Sequence, residues 1–208
     1  MSGQSDRKPD GSDSPAALAR IRRDATLIHP RQQVEAALDR MASAITTEFA
    51  PDAAAGSEEG SPLVLIAVMT GGMIPAVWLS TRLDFPHQLD YVHASRYAGG
   101  TRGGELNWLA RPRLPLAGRR VLIVDDILDE GVTLKSIANY CRQQEAAQVR
   151  TAVLVQKIHG RCEEGIAADF VGLEVPDLYV FGCGMDYKEH FRDLTSIYAL
   201  APGNGVQR

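Results

Sequence analysis

The segment VLIVDDILDEGVTL, Val121 to Leu134, gathers the residues of this chain best placed to do chemistry. Asp125 and Asp126 follow a run of apolar residues, Asp129 and Glu130 come next, and Gly131, Val132 and Thr133 open a helical pattern. A loop that turns into a helix N-terminus presents unpaired backbone N–H groups and the positive end of the helix dipole, which suits an anion. Gly131 allows the backbone to approach closely, and Thr133 adds a hydroxyl donor. Carboxylates beside a bound phosphate repel it unless they accept hydrogen bonds from sugar hydroxyls or share a cation. A ribose phosphate accompanied by magnesium meets both demands. The segment has no Gly-Lys-Ser/Thr after a four-residue spacer and no GxGxxG, so neither a P-loop nor a Rossmann fingerprint is present. The plain alternative is an acidic surface turn ahead of an ordinary helix.

The elements that must position this loop are legible in the apolar pattern. Val34, Leu38, Met41, Ile45 and Phe49 predict a helix from Arg31 with one buried stripe, ended by Pro51. Ala50 to Pro62 has the composition of a surface connection. Leu63 to Met69, Val121 to Val124 and Thr151 to Val155 are unbroken apolar runs of the kind that form strands buried on both faces. Thr70, Gly71 and Gly72 follow the first of them, and Met73 to Leu83 predicts a helix that tolerates Pro75 in its first turn. Tyr91 to Ser95 predicts a further strand, and Val132 to Gln144 a helix. Arg96 to Gly118, with Gly99, Gly100, Gly103 and Gly104, is either a mobile loop or an irregular hairpin. Tyr179 to Phe181 and Ile197 to Leu200 are shorter apolar pieces. Strands alternating with helices predict an α/β domain with a mainly parallel sheet, whose ligands bind beyond the carboxyl ends of the strands.

Composition narrows the class. The chain has 208 residues, with 22 Lys plus Arg against 26 Asp plus Glu, so its formal charge of −4 offers no basic excess for nucleic acid. No apolar run approaches the roughly 20 residues needed to span a bilayer. Cys141, Cys162 and Cys183 form no CxxC pair, which fits a reducing, cytoplasmic setting. Residues 1–14 read as a disordered tail, and 15–208 as a single domain.

The acidic segment resembles the 5-phosphoribosyl 1-pyrophosphate (PRPP) motif of type I phosphoribosyltransferases. From Leu63 onward the chain is similar to hypoxanthine-guanine phosphoribosyltransferases through MTGG (Met69 to Gly72), SRY (Ser95 to Tyr97), VQK (Val155 to Lys157) and DFVGLEVPDLYVFGCGMDYKEHFRDL (Asp169 to Leu194). The resemblance implies the type I phosphoribosyltransferase fold: a mainly parallel central sheet flanked by helices, a small hood that recognises the base, and a mobile lid loop. It implies transfer of the phosphoribosyl group from PRPP to hypoxanthine or guanine, with magnesium as cofactor.

By the same resemblance, Asp129 is the acid/base residue at purine N7. Asp125 and Asp126 hold the ribose hydroxyls and associated magnesium, while Glu130, Gly131, Val132 and Thr133 cradle the 5-phosphate. Thr70, Gly71 and Arg192 contact pyrophosphate. Lys157 donates to the 6-oxo group, Tyr179 stacks on the base and the Val180 backbone reads its edge. Asp186 binds a second magnesium and touches the base through its backbone. Ser95 and Tyr97 belong to the lid. A homodimer or homotetramer is also implied.

The chain departs from the family pattern, which often has Thr or Ser at Glu130, Lys at Val132 and Thr70, and Glu at Asp125. The changes at Glu130 and Val132 make the phosphate loop less favourable to an anion. Two other readings stand beside purine salvage: a PRPP-binding regulatory protein, and a xanthine-preferring transferase. The lone donor chemistry of Lys157 favours a 6-oxo group over an amino group. Nothing in the residue types ranks hypoxanthine, guanine and xanthine.

Overall fold

A computed structural model describes residues 14–54, 62–96, 106–159 and 167–201. Of the expected tail only Ser14 lies among them, accepting from the Ala17 N–H at the start of helix α1, Pro15–Asp24. Strand β1, Thr26–His29, follows. The apolar pattern predicts neither element, because they are only 10 and 4 residues long and have no fully buried residue. The helix expected from Arg31 is α2, Arg31–Ala54, and its stripe of Val34, Leu38, Met41, Ile45 and Phe49 is buried. It continues past Pro51, which corrects the expected stop: a proline removes one ladder hydrogen bond, and here the helix carries on without it.

Strand β2, Leu63–Met69, leads through the Thr70–Gly72 turn into α3, Met73–Ser80. This helix is shorter than the expected span to Leu83. After Ser80 the backbone tightens, with Arg82 N donating to the Leu79 carbonyl and Leu83 N to that of Ser80. The Arg82 guanidinium also caps the Trp78 carbonyl at 2.9 Å. Strands β3, His87–Arg96, and β4, Leu106–Ala110, pair antiparallel, so the pairing favours the hairpin alternative. Tyr97 and the glycine-rich stretch behind it lie outside the described residues.

Strand β5, Arg120–Leu128, runs further than the expected Val121 to Val124 and carries Asp125 and Asp126 within it. The cause is β6, Gln148–Ile158, which continues alongside and pairs Asp125 with Val153 and Leu128 with Gln156. Helix α4, Val132–Gln143, connects the two. Strand β7, Phe170–Pro176, completes a six-stranded sheet of order β4-β3-β2-β5-β6-β7, parallel except at β4. Leu63, Leu65, Leu122 and Leu154 face α2 and α3, while Val64, Ile66, Ile123 and Val153 face α4. Such two-sided burial explains why these strands have no polar alternation.

Strands β8, Val180–Phe181, and β9, Ile197–Ala199, join β1 in a separate three-stranded sheet of order β1-β9-β8. Leu18 and Ile21 of α1 pack against its Phe181 cluster. This small sheet is the expected hood.

Candidate active site

The carboxyl ends of β2, β5 and β6 meet the hood and enclose two adjoining chambers. The larger, of about 540 Å³, is lined by Gly71, by Asp125 to Leu134 and by Arg192. The smaller, of about 310 Å³, is lined by Lys157, Tyr179, Val180, Met185 and Asp186. Asp126, Ile127 and Asp129 line both. Thirteen of the expected site residues therefore stand in one connected cleft, which Thr70 does not line. Only the backbone of Ser95 is described, paired to Asn107 on β4.

The first chamber is assembled by close backbone approach. A Cβ at Gly71 would run into the Asp126 carboxylate, and one at Gly72 would meet the Val124 carbonyl at 2.5 Å. Gly184, at φ 106°, lets the hood loop close on the Gly71 carbonyl. Gly131, the N-cap of α4, is left-handed at φ 81° and brings no side chain of its own to cap the helix, which leaves room for a ligand at its first-turn N–H groups.

Asp125 accepts from the Asp126 N–H at 2.9 Å, and Asp126 from the Ile127 N–H at 2.8 Å. Burial pushes both carboxyls above their ordinary range, and for Asp125 the neighbouring Asp126 charge pushes further in the same direction. The pair thus calls for a proton or a cation. Arg192 lies opposite, bonded to the Gly184 carbonyl at 2.8 Å and paired with Asp186 at 2.8 Å.

The second chamber combines the apolar and aromatic side chains of Ile127, Val180, Met185 and Tyr179 with the carboxylates of Asp126, Asp129 and Asp186 and one buried cation, Lys157. Tyr179 is half-buried and its hydroxyl donates to the Asp186 carbonyl at 3.1 Å, which fixes the ring. Burial, with the Asp186 charge, pushes its phenol up. Lys157 donates to Asp129 Oδ2 at 2.7 Å. His159 Nε2 lies 2.7 Å from the other oxygen, Oδ1. Desolvation pushes the Asp129 carboxyl up, but the hydrogen bonds and charges of Lys157 and His159 outweigh it and hold the group below the ordinary carboxylate range.

This convergence follows from sheet register. Leu128 pairs with Gln156, so the residues that follow them, Asp129 just past the end of β5 and Lys157 on β6, emerge side by side. Side chains alternate along a strand, so His159 follows Lys157 onto the same face while Ile158, 52% exposed, points away. His159 carries no signal in the sequence: it is a single histidine two residues after VQK, and only the β5–β6 register brings it to Asp129.

The remaining expectations are placed as follows. Val180 is buried in β8, and its strand pairs with Ala199. Asp186 accepts from the Glu189 N–H at 2.8 Å. Glu130, Val132 and Thr133 line the first chamber together with Gly131. Among the described residues no group of three or more His, Cys, Asp or Glu side chains forms a ready metal cage.

Comparison with known proteins gives the family. The model of the phosphoribosyl transferase domain family matches residues 26–190. The hypoxanthine-guanine phosphoribosyltransferase of Streptococcus pneumoniae is 35% identical over 142 residues, which is 68% of this chain and 78% of the relative. That of Bacillus subtilis is 30% identical over 172 residues, 82% of this chain and 90% of the relative. A solved hypoxanthine phosphoribosyltransferase from Staphylococcus aureus superposes with a TM-score of 0.77 at 27% identity, covering 88% of this chain and 95% of that one.

Proposed function

The chain belongs to the hypoxanthine-guanine phosphoribosyltransferase family and is a PRPP-dependent purine salvage transferase; we propose that it converts hypoxanthine or guanine to the nucleoside monophosphate with Asp129 as its acid/base residue. The observation that carries the assignment is the position of Asp129. It stands where the two chambers join, held by Lys157 and His159.

In this reading the sugar phosphate occupies the first chamber, with its 5-phosphate on the Glu130–Thr133 backbone at the α4 N-terminus. Asp125 and Asp126 receive the ribose hydroxyls. The purine enters the second chamber, where Tyr179 offers an aromatic face, the Val180 backbone an edge contact and Lys157 a donor for the 6-oxo oxygen. As purine N9 bonds to ribose C1, the C1–oxygen bond to pyrophosphate breaks and its electron pair leaves with pyrophosphate. Asp129 takes the N7 proton. Positive charge develops on the sugar and negative charge on the leaving group, so Arg192 and the Gly71 backbone act by charge stabilisation. Lys157 turning toward the 6-oxo oxygen loosens one of the two bonds that hold Asp129 low, which raises its proton affinity when the base is bound.

Magnesium belongs to the same proposal. Two buried carboxylates whose protons are held tightly are relieved by a cation, and magnesium characteristically combines one or two carboxylates with substrate oxygens and waters. Asp125, Asp126 and Asp186 would hold it, and it would neutralise charge developing on pyrophosphate.

The wider setting is proposed on more general grounds. The buried free thiols of Cys141 and Cys183 support a reducing cytoplasm. Among the described residues no helix is long and apolar enough to cross a membrane. Exposed Met73 and Val77 on α3, with Leu89 and Tyr91 on β3, support association of copies as a homodimer or homotetramer.

The test supplies PRPP and magnesium with each purine in turn and identifies the nucleotide formed. Asp129→Asn should lower turnover by about 10² to 10⁴, the usual worth of acid–base catalysis, with PRPP binding kept. Undiminished turnover removes Asp129 from the role. A product formed only from xanthine would overturn the 6-oxopurine assignment in favour of the xanthine-preferring alternative.

A further inference from the structure

We propose that His159 is a positioning residue for Asp129, holding its carboxylate in the orientation that faces the purine while Lys157 leaves to meet the 6-oxo oxygen. The inference rests on the reading of Asp129 as the acid/base residue.

The geometry assigns the two donors different tasks. Lys157 and His159 each approach one oxygen of Asp129 at 2.7 Å, and their side chains are only 7% and 4% exposed. An ionised carboxylate only accepts hydrogen bonds, so the Nε2 that faces Oδ1 carries the hydrogen. A flexible ammonium with three protons can swing between the carboxylate and a purine oxygen. An imidazole anchored at the end of β6 has no such freedom. When Lys157 engages the base, His159 is the donor that keeps Asp129 from rotating out of line with N7. It also fixes how strongly Asp129 binds a proton, because one charge-directed bond persists throughout.

Other charged and titratable groups surround Asp129 from each neighbouring element. Lys157 and His159 come from β6, Asp126 from β5, and Glu130 from the loop that carries Asp129 itself. Tyr179 and Asp186 face it across the second chamber from the hood. Substitutions at His159 alter none of the other groups.

The test compares His159→Leu, His159→Gln and His159→Asn with Asp129→Asn in the full chain, with hypoxanthine, PRPP and magnesium. The glutamine amide reaches about as far as the imidazole Nε2, whereas the asparagine amide stops short. His159→Leu should lower kcat by about tenfold or more, the effect of losing a hydrogen bond to a charged group, with the KM for PRPP unchanged. Losing a donor lets the Asp129 carboxyl rise, so the acid limb of the kcat/KM profile should move to higher pH. His159→Gln should restore both readouts and His159→Asn should not. Wild-type kcat and an unshifted acid limb in His159→Leu would overturn the proposal, as would a loss confined to the KM for PRPP. Should the leucine variant fail to fold, the glutamine and asparagine variants decide alone, and equal activity in these two overturns it. If Asp129→Asn turns over normally, the reading of Asp129 has failed. If Asp129→Asn is impaired while His159→Leu is normal, only the positioning role has failed.

Discussion

Lys157→Met tests the base chamber most directly, because it keeps the length and shape of the side chain and removes only the ammonium. Lys157 is buried, lies 2.7 Å from Asp129, and in the proposed reading its ammonium turns to offer a proton to the 6-oxo oxygen in the chamber it lines. A hydrogen bond from a charged donor is worth about 1.5–3 kcal/mol. At about 1.4 kcal/mol per factor of ten, the variant should lose about 10- to 150-fold in kcat/KM for hypoxanthine. Adenine, whose amino group presents hydrogens to the ammonium, should lose less, so preference for the 6-oxopurine should shrink. Lys157 does not line the sugar-phosphate chamber, so the KM for PRPP should stay within about twofold of the parent's. Initial rates of nucleotide formation with each base, normalised to folded protein by melting curves, measure all three quantities. A kcat/KM for hypoxanthine within twofold of the parent would refute the donor role. A loss that fell on PRPP while sparing the purine would show that Lys157 works in the other chamber.

Two further outcomes follow from the acidic loop. Asp125 binds its proton more tightly in the folded chain than in the unfolded one, so its contribution lowers ligand-free stability as pH rises from the ordinary carboxylate range through the folded value. Asp125→Asn should therefore raise Tm at about neutral pH while impairing PRPP-dependent turnover, and an unchanged or lower Tm in thermal melts would sink this account. Glu130→Thr removes a negative charge beside the α4 N-terminus and should lower the apparent KM for PRPP by about two- to fivefold, the range of an N-terminal charge effect. Steady-state rates check it, and an unchanged or higher KM argues that Glu130 points away from the phosphate.

The buried strands β2, β5 and β6 were legible because a strand covered on both faces must be apolar throughout, and α2 because its stripe must repeat every turn. Their ends were less legible. Asp125 and Asp126 look like a loop in a linear reading, yet they lie within β5 because β6 extends beside them and supplies hydrogen-bond partners. The hood was harder still. β1 pairs with β9 across most of the length of the chain, and strands of only 2 to 4 residues leave little pattern to read.

The chemistry divides along the same line. Local order alone determined the acidic segment, since consecutive residues from Asp125 to Thr133 supply its carboxylates, its left-handed glycine and its helix start. Residue types likewise determined that Lys157 can only donate. Only tertiary structure decided what Asp129 is bonded to, because its partners lie 28 and 30 residues away and arrive through the register of two parallel strands. Sequence distance carries no record of register; that is set when the strand faces bury their side chains together, and it brought His159, otherwise an unremarked histidine, to the carboxylate.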